Sequence, residues 1–423
     1  MHNFALNHIT KIEGHASLSL QIKRGKVTRC DLDSVEGSRY FEGLLKDRHF
    51  TEAAEITSRI CGICSCAHTI AAITAIENAL RIKVSPQTYT LRKLLTIGER
   101  IRSHATHLYF MALPDYLGYE SALEMVPKHK NEIKRALRLM KLGNEMVKLF
   151  AGRDLHPVSA TIGGALKIPS NDEIVSMKDK LESLKSDAAK TAILFGKLKY
   201  PDYATASECF SVHNKKEYGI LEGSLISKNN EYSKDNYLHY LREYHEPDST
   251  ANFVVKEGKS YMVGALARIN NNQIQLSKNA RKLLNKSKIK FPNHNPFANN
   301  FAQAVELVHY IYEAIDICTA FKPRNEPIIK PKVRSGRGVS AIEAPRGILF
   351  HDYTLDKNGN ISSANIITPT AQNLRSMQDD IRSYVSTIIK YDKHKIVHEV
   401  EKLIRAYDPC FSCSTHFLKV KWL

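Results

Sequence analysis

The sequence predicts an α+β fold, mainly α, in which a central bundle of long helices carries β-hairpins at its periphery. Three observations predict it. Several long segments place apolar residues every third or fourth position between charged ones. Two shorter segments alternate apolar and polar residues on either side of Gly- or Asn-containing turns. Two Cys-x-x-Cys pairs stand at opposite ends of the chain, each beside a predicted helix.

The elements follow in order. Residues 15–33 alternate, with Leu18, Leu20 and Ile22 on one face, a turn at Arg24-Gly25-Lys26 and Val27 opening a second strand, which predicts an N-terminal hairpin. Over 66–81, Ile70, Ile73, Ile76 and Leu80 recur at helical spacing among alanines, and Ser85-Pro86 ends the run. The first cysteine pair is therefore expected at a helix N-terminus. Long helices are expected over 87–111, 129–150 and 171–198. Residues 210–275 are richer in Tyr, Asn, Ser and Lys, and their weak periodicity predicts an insertion or peripheral lobe away from function. Helical spacing returns over 299–320 with Ala302, Val305, Val308, Tyr312 and Ile315. A hairpin is expected from Gly347 to Leu355 and Ile361 to Ile367 around the turn Asp356-Lys357-Asn358-Gly359-Asn360. Two last helices, 371–390 and 394–406, lead into the second cysteine pair.

No internal repeat or low-complexity tract interrupts this order, so residues 1–423 are expected to form a single domain. Its parts are an N-terminal hairpin region (1–60), a helical core (61–200 and 275–345), a peripheral insertion (201–275) and a C-terminal hairpin with the metal-binding end (346–423).

With 423 residues, 43% of them apolar, the chain can bury a sizeable core and does not resemble a disordered or fibrous protein. Its apolar runs fall far short of the roughly 18 residues that a membrane span needs. Met1-His2-Asn3-Phe4 opens no signal peptide. The expectation is a soluble, cytoplasmic protein. The formal charge of +17 is large, but the lysines and arginines are scattered and no nucleic-acid-binding signature accompanies them, so nucleic acid is not an expected partner.

The chemistry is concentrated in Arg59-Ile60-Cys61-Gly62-Ile63-Cys64-Ser65-Cys66-Ala67-His68 and in Asp408-Pro409-Cys410-Phe411-Ser412-Cys413-Ser414-Thr415-His416. Two intervening residues let one tight turn present both sulfurs to one centre, and a helix N-terminus favours their thiolate form. Four soft sulfurs suit zinc, nickel or iron rather than magnesium or calcium. From spacing alone, a structural four-cysteine zinc site and a catalytic metal centre stand level. Structural zinc usually gathers its ligands locally, however, whereas about 345 residues separate Cys64 from Cys410. A thioredoxin-like redox pair is disfavoured because neither motif has a strand-then-helix setting. Cys66 reads as a small buried residue, and Cys30, Cys209 and Cys318 fit no ligand spacing.

Together the two segments resemble the signature pair of nickel-iron hydrogenase large subunits, Arg-x-Cys-Gly-x-Cys-x-x-x-His and Asp-Pro-Cys-x-x-Cys-x-x-His. Further blocks resemble the same family: Ile12-Glu13-Gly14-His15, Ser38-Arg39-Tyr40-Phe41-Glu42, Ser103-His104-Ala105-Thr106-His107-Leu108-Tyr109, Glu343-Ala344-Pro345-Arg346-Gly347 and Thr368-Pro369-Thr370. Asn295-Pro296-Phe297-Ala298-Asn299-Asn300 and Arg405-Ala406-Tyr407-Asp408-Pro409-Cys410 look most like the cytosolic, multi-subunit sulfhydrogenase or NADP-linked type.

The resemblance implies the large-subunit fold and reversible, heterolytic oxidation of hydrogen. It implies Cys61 and Cys410 as terminal nickel ligands, Cys64 and Cys413 as bridges to iron, and carbon monoxide and cyanide on the iron. It makes Glu13 the first proton relay. Arg346 would hang over the open metal position, held by Asp115 and Asp408, and His68 would donate to a bridging sulfur. Taken singly, Glu13 could also cap a turn, Arg346 form an ordinary core ion pair and Asp408 simply precede Pro409 in a loop. Glu42, a carbonyl near Ile366 and His416 match the family's magnesium site, and residues 417–423 the tail that a maturation endopeptidase removes. Partners implied are an iron-sulfur small subunit and diaphorase-type flavin and iron-sulfur subunits that pass electrons to NAD(P) or a similar acceptor. This chain carries no glycine-rich dinucleotide fingerprint. The competing expectations are a relative without hydrogen chemistry and a zinc-holding scaffold of an electron-transfer complex.

Overall fold

A computed structural model describes the chain except for Met1, Asn7, Arg24, Gly25, Ser38, Asn229, Asp248 and 416–423, and for the side chains of 2–5. The expected turn at 24–26 therefore lies partly, and His416 with the tail 417–423 wholly, outside the described residues.

At the N-terminus the expected hairpin gains a third strand. His2–Leu6, Ala16–Lys23 and Lys26–Ser34 form an antiparallel sheet in chain order, Leu18 pairing with Leu6 on one side and Leu32 on the other. Leu18, Leu20 and Ile22 are buried, as their alternation requires.

The helix Ser65–Leu80 lies at the centre, nearly every side chain buried. Its alanines let a strand backbone approach closely. A Cβ at Gly338 would lie 2.0 Å from the Ala75 carbonyl oxygen, so only glycine fits there. That strand, Gly336–Ala344, was expected to belong to the helical core. It forms instead the first strand of a three-stranded antiparallel sheet with Gly347–Leu355 and Ile361–Ile367. Covered on both faces from Gly338 onward, it has no polar alternation by which to be recognised.

The helix Pro86–Thr106 opens with Ser85 capping the Thr88 N–H and packs on Lys130–Ala151. Glycines mark the crossing: a Cβ at Gly98 would meet Met146 Cβ at 2.7 Å. Where one helix was expected to run to 111, a π-helical turn spans His107–Ala112, followed by Leu113–Leu117 and a left-handed stop at Gly118. Such a turn rotates the residues after it relative to an α-helix, which re-aims Asp115. The helix expected over 171–198 breaks at Leu184 into Asn171–Ser183 and Lys185–Gly196.

Residues 201–275 were expected as a peripheral insertion. Their short strands form a four-stranded sheet and a separate hairpin. Phe210, Val212, Leu225, Val254 and Tyr261 pack against Ile348, Phe350 and Ile367 of the C-terminal sheet in a second apolar cluster. The helix Ala265–Asn272 that ends the segment is buried on most of its length. Strands of two to six residues are too short to show a period, which is why the segment looked featureless.

The helix Asn299–Ala320 lies where its period placed it, and Pro369–Ile388 and Lys393–Ala406 close the chain. The mainly helical α+β expectation holds. Among the described residues no helix is long and apolar enough to cross a membrane.

Candidate metal centre

Cys61 and Cys64 occupy the turn entering the central helix. Cys64 is its N-cap residue, and the Cys64 N–H points at Cys61 Sγ at 3.4 Å. Two side chains of the Pro86–Thr106 helix, one turn apart, hold this turn from behind. The buried Glu99 carboxyl accepts from the Cys66 and Ala67 N–H groups at 2.7 and 3.1 Å, and Arg102 donates to the Ile63 carbonyl at 2.8 Å. Burial pushes the Glu99 carboxyl up to about 7.

Cys410 and Cys413 follow the last long helix through Asp408, whose left-handed backbone (φ 53°) turns the chain back inward. A short 3-10 turn, Phe411–Ser414, presents the second pair. The N-terminal loop is stitched to it: Glu13 bridges to Cys410, and the Phe411 N–H donates to the Glu13 carbonyl at 2.9 Å. A Cβ at Gly14 would lie 2.8 Å from the Ser412 nitrogen, so the loop rests directly on the cysteine turn.

The four sulfurs meet as two pairs, each drawn from both ends of the chain. Cys61 Sγ is 3.7 Å from Cys410 Sγ, and Cys64 Sγ 3.5 Å from Cys413 Sγ. Both separations are far beyond a disulfide bond of about 2.05 Å, and all eight cysteines are free thiols. The four are at most 6% exposed. Cys64, Cys410 and Cys413 line a small cavity together with His68, Arg346, Leu349 and Pro369, and Cys61 stands behind it against Cys410. Hydrogen bonds from the Cys410, Cys413 and Cys64 sulfurs hold the Cys61 thiol well below its ordinary value. Burial pushes Cys410 and Cys413 well above theirs. A metal binds cysteine as thiolate, so one held by these four would draw off their protons.

Glu13 Oε2 lies 2.7 Å from Cys410 Sγ, and the Ser412 hydroxyl donates to the same carboxylate. Arg346 reaches the cavity from the two-residue turn between Gly336–Ala344 and Gly347–Leu355. Its Nε–H donates to the Asp408 carbonyl at 2.8 Å and to Asp408 Oδ1 at 3.0 Å, while Nη1 is buried without a hydrogen-bond partner. Gln303 donates to the other Asp408 oxygen at 2.9 Å.

Asp115 requires a correction, for it does not hold Arg346. Both its oxygens accept from Arg405 Nη1 at 3.0 Å, and Lys11 pairs with it as well. It sits just past the π-turn, on Leu113–Leu117, and its carboxylate meets the last long helix, not the hairpin turn. Arg405 also donates to the Thr10 carbonyl at 2.9 Å, so this pair seats the segment leading to Glu13.

His68 lines the cavity, and its Nδ1 is 3.1 Å from His351 Nε2. Tyr353 OH lies 2.5 Å from His351 Nδ1. With the tyrosine donating, His351 Nε2–H donates to His68, which leaves the His68 Nε2–H for the cavity. Burial lowers His68 to about 4, so the ring is neutral. At the expected magnesium site, Glu42 Oε1 accepts from the Ile366 N–H at 2.7 Å, and burial raises this carboxyl to about 8. His416, the third expected member, lies outside the described residues.

Sequence reasoning missed Glu99, Arg102, Gln303 and Ser412. Ser412 lies inside the second motif and carried a signal; the others are single polar positions on helices, with nothing local to mark them.

A family model described as nickel-dependent hydrogenase matches residues 39–138 and 257–416. The chain is 37% identical to sulfhydrogenase 1 subunit alpha of Pyrococcus furiosus, the alignment covering 98% of each chain. It is 32% identical to sulfhydrogenase 2 subunit alpha of the same organism over 98% of this chain and 99% of that one. The fold is similar to that of an NAD+-reducing [NiFe]-hydrogenase solved in the H2-reduced state, with a TM-score of 0.91 at 23% identity over 98% of this chain and 100% of that one. With its paired cysteines and with relatives that match it end to end, the chain belongs to the nickel-dependent hydrogenase family and is the catalytic large subunit of a hydrogenase.

Proposed function

We propose that Cys61, Cys64, Cys410 and Cys413 hold a nickel-iron centre, with Cys61 and Cys410 as terminal nickel ligands, Cys64 and Cys413 as bridges, and carbon monoxide and cyanide completing the iron. Fit to the site supports this. Three soft sulfurs line one small cavity, the fourth, Cys61, lies 3.7 Å from Cys410, and Arg346, which also lines the cavity, keeps Nη1 without a hydrogen-bond partner. When bound, the metal pair supplies the place where hydrogen is split and its electrons are held.

The chain's own groups account for the proton. Cys410 Sγ takes it up, and Glu13 Oε2, at 2.7 Å, accepts it. Ser412 keeps the carboxylate turned toward that sulfur by donating to it. Arg346 presents a fixed positive charge, oriented by Asp408, and Leu349 and Pro369 keep water out of the cavity. The His68 Nε2–H is available to a cysteine sulfur. The observation that carries the reading is the contact between Glu13 and Cys410, a base touching a thiol inside a four-sulfur cluster.

Electrons must leave through another protein. Among the described residues, the groups able to hold a metal are all at this one centre. We assign them to an iron-sulfur small subunit and from there, through diaphorase-type flavin and iron-sulfur subunits, to NAD(P) or a similar acceptor. Eight free thiols suit the reducing cytoplasm. Glu42, the Ile366 carbonyl and His416 would hold magnesium, whose charge would offset that of a buried carboxylate. Residues 417–423 would be removed by an endopeptidase after nickel insertion. The whole chain acts as one domain, because neither cysteine pair is complete without the other.

The test is anaerobic purification with the maturation machinery, then metal analysis and infrared spectroscopy. Nickel together with bands of metal-bound carbon monoxide and cyanide supports the reading; zinc alone ends it.

A further inference from the structure

The segment expected to be peripheral contributes a fully bonded cation beside the turn that carries Arg346. Arg268, on the helix Ala265–Asn272, is fully buried. A guanidinium has five N–H groups, and here each has an acceptor. Nε–H and one Nη2–H donate to the two oxygens of Glu306, both at 2.7 Å, and one Nη1–H donates to Glu343 Oε2 at 2.9 Å. The remaining two donate to the carbonyls of Ala344 at 3.2 Å and Pro345 at 2.9 Å.

Those carbonyls belong to the two residues immediately before Arg346, in the turn that aims it. The backbones interlock there as well. A Cβ at Gly347 would lie 2.4 Å from Val263 Cγ2, and one at Gly264 would lie 3.2 Å from the Arg346 carbonyl. His104 and Tyr218 bond the two Glu306 oxygens from other elements, at 2.7 and 2.6 Å, and so fix the carboxylate against which Arg268 is braced.

A buried ion pair is weak evidence for stability, since well-packed apolar residues often do as well. What apolar residues would not supply is a rigid fork set on two particular carbonyls. Arg268 keeps no donor for the cavity, whereas Arg346 keeps Nη1 unpartnered. We propose that Arg268 is a positioning residue: it fixes the Ala344–Pro345 turn so that the Arg346 guanidinium is held at the metal cavity. The inference rests on the reading of Arg346 given above.

Arg268→Lys keeps the charge and loses the fork. In the intact, matured complex the variant should retain nickel and the infrared bands of the parent, while hydrogen turnover falls roughly 10- to 100-fold, as a displacement of about 1 Å at a reacting group can cause. Combined with Arg346→Lys it should lose no more than Arg346→Lys does alone, since the two act as a unit. Amide hydrogen exchange of the metal-free chain should rise over 344–349 and stay at the parent level over 66–80 and 300–320. Turnover within about twofold of the parent, or losses that multiply in the double variant, would overturn the proposal. If no metal-loaded variant is obtained, amide exchange decides: opening confined to 344–349 supports it, and opening across the whole chain overturns it. Absence of nickel or of the bands from the parent complex would instead be a failure of the hydrogenase reading itself.

Discussion

Glu13 Oε2 lies 2.7 Å from Cys410 Sγ although 397 positions separate the two residues. The contact is made because the Ile12–Gly14 loop lies on the second cysteine turn, tied by the Phe411 N–H and by Ser412. Replacing the carboxylate with an amide of the same shape keeps those ties and removes the base. Glu13→Gln is expected to keep its metals and to lose about 10²- to 10⁴-fold in hydrogen–deuterium exchange. Exchange at the parent rate would remove Glu13 from the relay.

Serine at 61, 64, 410 or 413 should each abolish nickel retention, measured as metal per chain after maturation. Cys66→Ser should leave it intact. The Cys66 thiol is buried, and burial holds it well above its ordinary value, away from the thiolate form a metal requires. Nickel loss in Cys66→Ser would show that the ligand set has been drawn wrongly.

Asp115 and Arg405 form a buried pair that also grips Thr10. Asp115→Ala leaves the guanidinium uncompensated and should cost about 3–5 kcal/mol, read as a lower midpoint of denaturation of the metal-free chain. A midpoint equal to the parent's would show that Arg405 finds another partner.

Glu99 makes stability depend on pH. Its folded carboxyl titrates near 7, raised by burial, against an ordinary value of 4.5. Between those values the folded chain holds a proton that the unfolded chain has released. The carboxyl's contribution is therefore fully present below about 4.5, is lost as pH rises toward 7, and changes no further above that. Glu99→Gln keeps an oxygen for the Cys66 N–H and does not titrate. Relative to the parent, the variant should gain on the order of 3 kcal/mol between pH 4.5 and 7.5. Denaturation curves of the two metal-free chains that run parallel across this range would show that Glu99 is not buried as described.

That the site holds a soft metal was legible early because this rests on residue type and local spacing, whereas its hydrogen chemistry, with Glu13 and Arg346, came from the family resemblance. Two sulfurs two residues apart need only one turn to face one centre, and Ser85, with Ile70, Ile73 and Ile76, marks where the neighbouring helices begin and which face they bury. Asp115 illustrates the opposite case. It lies beyond the helix expected over 87–111, on Leu113–Leu117 after a π-turn that no periodicity announces, and only the fold pairs it with Arg405.

By itself, then, the sequence determined where most of the long helices run, the hairpin before the last two of them and the two Cys-x-x-Cys turns. All of these depend on interactions within a turn or two of chain. Only the tertiary structure decided that Cys61 faces Cys410 and Cys64 faces Cys413, that Gly336–Ala344 is a strand, that Asp115 serves Arg405 and that Arg268 grips the turn bearing Arg346. Each of these joins elements far apart in the chain through a close backbone approach or a hydrogen bond, and such a contact leaves no period or composition in the local sequence.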